Sequence, residues 1–128
     1  MSVVLDASAV LAYLRDEPGA SVVADVIAAW VDDEKPAPLI STVNWIEIAQ
    51  RVSQQAVLDE LQTVVEIVPF SLRDATTAAD LFASTQAFGL SLADRACLAV
   101  AICRKLPVLT ADREWSRAQL DIEVRQIR

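Results

Sequence analysis

The sequence predicts one α/β domain spanning residues 1–128, with a mostly parallel sheet of four or five strands. Three observations support this prediction. Short runs rich in β-branched residues alternate with helical patterns, an order typical of parallel sheets. The 128-residue length is that of one domain. The chain has only two glycines and no repeat or low-complexity stretch, so nothing in it indicates a linker.

The first half of the chain contains two predicted strands and four predicted helices. The first strand, "SVVLD", ends at Asp6, and Ser8 is placed to cap the next helix, which stops at Pro18 and Gly19. The predicted elements are a strand over 2–6, helices over 9–17 and 20–34, a strand over 39–41, and helices over 43–53 and 55–63.

The second half continues the alternation. The predicted elements are a strand over 64–70, a helix over 72–88 that Gly89 ends, a helix over 91–105, a strand over 107–112, a short helix over 113–119 and a strand over 122–127. The helix "SLADRACLAVAICRK" is nearly all apolar, which is typical of a buried helix. In parallel sheets, ligands bind beyond the carboxyl ends of the strands, so we expect the chemistry there.

The composition is apolar, yet it contains no membrane span. Apolar residues make up 54% of the chain and the mean hydropathy is +0.36. Charges interrupt every apolar stretch before the ~18 residues that a span requires, and "MSVVLDAS" lacks the basic start of a secretory signal. We expect a cytoplasmic protein without a membrane partner, and a homodimer formed through surplus apolar surface. The helices containing Trp30 and Trp45 are candidates for that interface, or for the core.

The charge is unevenly distributed. The net charge of −7 argues against electrostatic coating of nucleic acid. Residues 1–94 hold 14 acids and 4 bases, whereas residues 95–128 hold 7 bases and 4 acids. The basic end can serve a polyanion or be ordinary solvated surface, and both interpretations stay open.

The absence of histidine restricts the possible chemistry. It excludes Ser-His and Cys-His nucleophile pairs, histidine-based ribonuclease chemistry and His-ligated zinc. Cys97 and Cys103 share one predicted helix, where a rise of about 1.5 Å per residue separates their Cα atoms by roughly 9 Å. This is too far for a disulfide, so both are expected to be small core residues. Catalysis must use carboxylates, hydroxyls, Lys or Arg, or a hard metal ion.

Four of the 18 acidic residues stand out from the solvated majority. Asp6 ends the first strand, and Glu47 lies in the apolar frame "NWIEIA". Asp94 opens the apolar helix, and Asp112 is the last residue of the strand segment "PVLTAD". Asp6 and Asp112 can simply cap the next element, and Ser91 with Asp94 fits a capping box. Glu47 has no such alternative, because an acid in mid-helix has no capping duty.

The four acids favour a shared pocket. Asp6 and Asp112 follow parallel strands and so reach the same sheet edge, while Glu47 and Asp94 lie near helix starts that can face it. Two carboxylates ~4 Å apart repel by about 4 kcal/mol at an effective dielectric near 20, and each helix dipole offsets less than ~2 kcal/mol. A divalent cation offsets far more, and ligation by oxygen alone favours Mg²⁺ or Mn²⁺. We therefore expect Asp6 to be a metal ligand.

These motifs, in this order, resemble the PIN domain. They are "VLDASA", "NWIEIA", "SLADRACLAVA" and "LTADREW", and the match spans essentially the whole chain. In a single domain of this length, the pattern is similar to the VapC-type toxin ribonucleases of toxin–antitoxin pairs. The resemblance implies a three-layer α/β/α fold, Mg²⁺- or Mn²⁺-dependent endoribonuclease activity on RNA, homodimerisation and inhibition by a cognate VapB-like antitoxin.

The resemblance also implies roles for individual residues. By position, Asp6, Glu47, Asp94 and Asp112 match the family's acidic quartet. The expected reaction is hydrolysis of an RNA phosphodiester by metal-activated water, with Asp6, Asp94 and Asp112 as metal ligands. Glu47 would ligate through water or orient the nucleophile.

Hydroxyl and guanidinium groups complete the expected site. Ser8 and Thr110 match the family's accessory hydroxyls and would fix the orientation of the carboxylates. Arg95, Arg113 and Arg117 lie near the acids in sequence, so they are candidates for contacts with the RNA backbone, or ordinary surface arginines.

Two other classes of function stay open. A phosphoryl-accepting receiver domain needs paired acids after its first strand, whereas Asp6 is single. A haloacid-dehalogenase-like phosphatase needs Asp-x-Asp, whereas residues 6–8 read Asp-x-Ser. A non-catalytic binding module is the other class, in which the acidic pocket holds a basic peptide or a structural ion. An antitoxin arginine in the same acids would be a reasonable inhibitor, because it would replace the cations.

Overall fold

In the described part of the chain, five short strands form one parallel sheet at the centre of the molecule. The structure is a computed structural model that describes residues 2–33 and 36–128. The strands lie in the order β3-β2-β1-β4-β5, and every neighbouring pair is parallel. They are β1 (Val4–Leu5), β2 (Leu39–Ser41), β3 (Glu66–Val68), β4 (Val108–Thr110) and β5 (Val124–Gln126). The predicted α/β fold is confirmed, and the sheet is parallel throughout.

Helices cover both faces of this sheet. Within the described residues the α-helices are α1 (Ala7–Leu14), α2 (Ala20–Asp33), α3 (Thr42–Arg51), α4 (Gln55–Val64), α5 (Leu72–Asp80), α6 (Phe82–Thr85) and α7 (Leu92–Arg104). Two 3₁₀ segments span Gln86–Phe88 and Arg113–Arg117. No helix in this part of the chain is long and apolar enough to cross a membrane.

The alternation of side chains along the strands divides the core into two halves. Leu5 and Leu109 are paired in register and pack with α1, α2, α3 and α4 on one face. Val4 and Val108, the preceding pair, pack with α7 and the fully buried Trp115 on the other face. The predicted three-layer α/β/α arrangement is therefore confirmed, because helices lie on either side of the sheet.

The strand order places a topological switch point beside β1. The chain runs from β1 to β2 and β3 on one side and then returns through α7 to β4 on the other side of β1. Crevices at such reversals, beyond the carboxyl ends of the strands, are where open parallel sheets bind ligands. Asp6 follows β1 and Asp112 lies two residues after β4, so both acids stand at this point.

The first helix differs from its prediction at both ends. It spans Ala7–Leu14 rather than 9–17, and Asp6 occupies its N-cap position. The prediction that Ser8 caps this helix is wrong, because Ser8 lies inside the first turn. The helix ends early because Asp16 adopts a left-handed conformation, with φ of 52°, shortly before Pro18.

The predicted single helix over 72–88 is also wrong, because this stretch forms α5, α6 and the 3₁₀ segment Gln86–Phe88, with Leu81 between α5 and α6. The Ser84 and Thr85 hydroxyls donate to the Leu81 carbonyl at 3.2 and 2.6 Å, in addition to the Thr85 amide at 3.1 Å. Gly89 ends the segment as predicted, with φ of 71°.

The other predicted elements are present, with ends shifted by at most two residues. The short helix predicted over 113–119 is a 3₁₀ helix. The predicted end of the second helix at Glu34 lies outside the described residues. Trp30 and Trp45 are both half-buried, and Trp45 packs against the core. Both cysteines are free, as predicted.

Candidate functional site

Asp6 is a buried carboxylate at the centre of the site. Its side chain is 3% exposed, immediately after the central strand. The hydroxyls of Ser8 and Thr110 both donate to its Oδ2, at 2.5 and 3.0 Å. No hydrogen bond from the described residues reaches its other oxygen, Oδ1. One oxygen of Asp6 is therefore held by the protein, and the other is available to a ligand.

The two hydroxyls also join α1 to the end of β4. Ser8 Oγ accepts from the backbone amide of Ala111 at 3.0 Å, and Thr110 Oγ1 accepts from the amide of Asp112 at 3.0 Å. The same groups that hold the Asp6 carboxylate thus fix the backbone that carries Asp112.

Burial changes the ionisation of Asp6. Desolvation is the main cause that raises its pKa to about 7. The Ser8 and Thr110 hydrogen bonds oppose this rise, whereas the charges of Asp94 and Glu47 add to it. In the metal-free protein, the carboxyl group of Asp6 therefore titrates near neutral pH.

Asp94 combines a capping role with a place in the site. It lies at the third position of α7 and forms a capping box with Ser91: its Oδ2 accepts from the Ser91 amide at 2.9 Å, and its own amide donates to Ser91 Oγ at 3.1 Å. Burial is the main cause that raises its pKa. The Ser91 hydrogen bonds act against that rise, and the charge of Asp112 adds to it. The capping interpretation and the pocket interpretation of Asp94 both hold.

Asp112 also combines a capping role with a place in the site. It is the N-cap of the 3₁₀ helix Arg113–Arg117, and its Oδ1 accepts from the Glu114 amide at 2.9 Å. Its charge acts on Asp94, so the two carboxylates are electrostatic neighbours.

Glu47 is positioned by a buried asparagine that the sequence analysis missed. Asn44 is fully buried, and its Nδ2 donates to Glu47 Oε1 at 3.1 Å and to the Ala93 carbonyl at 3.0 Å. Ser41 Oγ in turn donates to Asn44 Oδ1 at 2.7 Å. Asn44 therefore ties α3 to the residue before Asp94. The available signal was its place in the apolar frame "TVNWIE", one helical turn before Glu47.

The four predicted acids line one cavity of about 100 Å³. Its walls are formed by Asp6, Ala7, Ser8, Leu11, Glu47, Arg51, Asp94 and Asp112. Cys97 is fully buried close to them: burial raises the pKa of its thiol well above the usual range, and the charges of Asp6, Asp94 and Glu47 add to the rise. The structure thus brings Asp6, Glu47, Asp94 and Asp112 together, with Ser8 in the wall and Thr110 bonded to Asp6.

The predicted RNA-contacting arginines lie outside the cavity walls, and each has a partner. Arg95 Nη1 donates to the Ala78 carbonyl at 3.2 Å and its Cζ lies 5.0 Å from the Phe82 ring centroid. Arg117 pairs with Glu114 at 3.0 Å, and Arg113 Nε donates to the terminal carbonyl of the chain at 3.4 Å. Arg51, which the sequence analysis overlooked, is the arginine of the cavity wall.

The donor set suits a hard divalent cation. The side-chain groups of the cavity that can ligate a metal are carboxylate and hydroxyl oxygens. The Arg51 guanidinium is the remaining polar group, and it repels cations. Within residues 2–33 and 36–128, no three His, Cys, Asp or Glu side chains converge closely enough to hold an ion as they stand. The acids therefore line one cavity, and ligation of an ion by three of them would require bridging water or carboxylate rotation.

Comparison with known proteins gives a consistent family assignment. Residues 3–120 match the PIN domain family. The fold is similar to VapBC2 from Rickettsia felis bound to a promoter DNA fragment (TM-score 0.75, 17% identity, 98% of each chain). It is also similar to a toxin–antitoxin complex from Klebsiella pneumoniae (TM-score 0.74, 20% identity, 99% of this chain and 98% of that chain).

A third similar structure is VapC20 from Mycobacterium tuberculosis, a toxin that cleaves the sarcin-ricin loop (TM-score 0.60, 18% identity, 91% of this chain and 94% of that chain). No curated protein matches the sequence.

The pKa of Asp6 predicts a pH dependence of stability in the metal-free protein. Because the folded-state pKa is about 7 and the ordinary value of an aspartate is 3.8, the folded state holds this proton more tightly. The contribution of Asp6 to stability is thus fully present below pH ~4 and is lost as pH rises through 7. Asp6→Asn keeps an acceptor for Ser8 and Thr110 but removes the titration. It should be more stable than wild type at pH 8, by up to roughly 4 kcal/mol at 1.36 kcal/mol per pKa unit.

This difference is measured by urea unfolding of both proteins with chelator present, from pH 4 to pH 8. The stability excess of the variant should shrink toward pH 4. Equal free energies of unfolding for the two proteins over the whole range would show that the charge of Asp6 does not destabilise the folded state.

Proposed function

The chain belongs to the PIN domain family, and from that premise we propose that it is a Mg²⁺- or Mn²⁺-dependent endoribonuclease, the toxin of a VapC-type toxin–antitoxin pair acting in the cytoplasm. The main observation that supports this proposal is the cavity at the switch point of the sheet, where Asp6, Glu47, Asp94 and Asp112 meet. The proposal that the chain is a phosphoryl acceptor loses its support, since receivers and haloacid dehalogenases are different families.

The carboxylates that would hold the ions are Asp6, Asp94 and Asp112. Bound there, a divalent cation supplies Lewis acidity, lowers the pKa of water and offsets charge at phosphorus. Asp6 offers Oδ1, because Ser8 and Thr110 occupy Oδ2. The raised pKa values of Asp6 and Asp94 in the metal-free protein support this role: burial is the main cause and neighbouring carboxylates add to it, and a bound cation would favour the ionised forms.

Glu47 would orient the attacking water. Asn44 holds its Oε1, and Oε2 has no hydrogen bond from the described residues, so Oε2 can accept one from water. The buried links of Asn44 to Ser41 and Ala93 keep this carboxylate beside Asp94. Glu47 would thus act on the nucleophile while the three aspartates hold the metal.

The chemistry of the cavity lining supports a backbone substrate. Carboxylates that hold cations suit the anionic phosphate of the RNA backbone. RNA would therefore present its backbone to the acids.

A VapB-like antitoxin is the proposed protein partner. A cavity of about 400 Å³ lies between α1 and α4, and its mixed lining includes Tyr13 and Leu61 as well as the acids Asp16 and Glu60. Such a groove suits a partner segment with apolar and basic side chains. The similar toxin–antitoxin complexes support an antitoxin in this role.

Loss of a metal-binding carboxylate should abolish cleavage without unfolding the protein. Asp94→Asn keeps an acceptor for the Ser91 amide, so α7 stays capped, but the variant should lose at least about 100-fold in Mn²⁺-dependent cleavage because a metal ligand is lost. Asp6→Asn should behave in the same way. The substrate is a labelled pool of random 20-nucleotide RNA, assayed with Mn²⁺ and with chelator.

Asp74→Asn is the matched control, because Ser71 and Asp74 form the same capping box on α5, away from the cavity. This variant should lower stability, because it removes the ion pair with Arg104 at 3.5 Å, yet it should cleave normally per folded molecule. Full activity of both Asp6→Asn and Asp94→Asn, or cleavage by wild type in chelator, would refute the proposed mechanism. A wild type that binds Mn²⁺ but cleaves no RNA would instead favour the binding module.

The proposed homodimer is supported by apolar side chains left at the surface. Leu92 is 70% exposed and Ile46 is 57% exposed, beside an apolar cavity of about 230 Å³ lined by Val43 and Ala96 among others. Leu92→Asp should shift sedimentation from dimer to monomer, whereas Val31→Asp, on α2 and equally apolar, should not. Loss of the dimer only in Val31→Asp would place the interface on α2, and a monomeric wild type would contradict the dimer.

A further inference from the structure

Arg51 shares the wall of the acidic cavity with the four carboxylates. It is the last residue of α3, one turn after Glu47, so the two side chains lie on the same face of the helix. Its side chain is exposed at the surface. A cation thus stands at the edge of the site, and it is Arg51 rather than one of the predicted arginines Arg95, Arg113 and Arg117.

The guanidinium of Arg51 is not used by the fold. Among residues 2–33 and 36–128, no ion pair involves Arg51, even with the neighbouring Glu47. Arg95, Arg113 and Arg117 differ, since each donates a hydrogen bond to a backbone or side-chain oxygen. Arg51 is therefore available to a ligand that enters the cavity.

A phosphodiester is the ligand that matches this arrangement. Its oxygens accept two parallel hydrogen bonds from a guanidinium, in the geometry that an arginine fork presents. The carboxylates repel that anion unless cations intervene, whereas Arg51 attracts it directly. Because Arg51 and the four carboxylates line one cavity, a backbone phosphate held there through cations would also be within the surroundings of Arg51.

We propose that Arg51 binds a backbone phosphate of the RNA at the mouth of the acidic cavity and positions the phosphodiester against the carboxylates. This inference rests on the proposed ribonuclease function. It assigns the substrate contact to a residue on α3 rather than to the basic C-terminal part of the chain.

A structural role would also place an arginine here, because a cation stabilises the C-terminal end of a helix. The test must therefore measure substrate binding as well as stability. The variants are Arg51→Gln, which removes the charge, and Arg51→Lys, which keeps the charge without the fork. Arg73→Gln, an exposed arginine on α5 outside the cavity walls and without an ion pair among the described residues, is the control.

Each variant is assayed with Mn²⁺ on the random 20-nucleotide RNA pool over a range of KCl concentrations, and its unfolding is measured in urea. Arg51→Gln should lower kcat/KM roughly tenfold or more, mainly through KM, and should reduce the slope of log kcat/KM against log salt by about 0.7, the value for one phosphate contact on a single strand. Arg51→Lys should recover the salt slope but only part of kcat/KM. Arg73→Gln should match wild type in both.

The possible failures are distinguishable. If wild type cleaves the pool and Arg51→Gln has the kcat/KM and salt slope of Arg73→Gln, the Arg51 contact is refuted while the ribonuclease proposal stands. A change confined to unfolding stability would likewise refute it, because that result shows a helix-end cation only. If wild type itself cleaves nothing, the proposed function fails, and the Arg51 contact fails with it.

Discussion

The buried carboxylate of Asp6 is the constraint on which the site depends. It follows the central strand of the sheet, and it is buried together with its neighbours Leu5 and Ala7. The hydroxyls of Ser8 and Thr110 stabilise one of its oxygens, but desolvation outweighs them and the pKa of Asp6 rises to about 7. A charge held in this position requires either a proton or a cation in the cavity beside it. The acidic neighbours make the cation the better match.

The helix N-termini of the fold also position two of the other acids in the cavity wall. Asp94 caps α7 and Asp112 caps the 3₁₀ helix after β4, and both side chains still reach the cavity wall. The N-terminal ends of these elements carry positive partial charge, which reduces the repulsion among the carboxylates. Capping and the proposed metal binding are therefore not alternatives here, because one carboxylate can serve both. Replacement by asparagine separates the two roles, since it retains the cap and removes the charge.

Much of this arrangement follows from the sequence, because its determinants are local. β-branched runs, helix stops and the acids that follow two of the strands are visible in the residues, and a parallel sheet then brings these acids, Asp6 and Asp112, to one edge. The contacts of Asn44 and Arg51 could not be predicted in this way. Asn44 depends on the packing of α3 against α7, and the exposure of Arg51 depends on which face of α3 meets the cavity.

The errors in the sequence analysis have the same origin. Ser8 fits a capping position by residue type, but its hydroxyl is engaged by Asp6 and the Ala111 amide, which only the folded chain brings together. The left-handed conformation of Asp16 and the boundary at Leu81 are backbone features. Residue preferences alone do not specify their positions. Calorimetric titration of Mn²⁺ into the chelator-treated protein at pH 7.5 tests the central claim most directly. The account predicts saturable binding that is lost in Asp6→Asn and Asp94→Asn and retained in Asp74→Asn; absence of binding to wild type, or undiminished binding to both cavity variants, would contradict it.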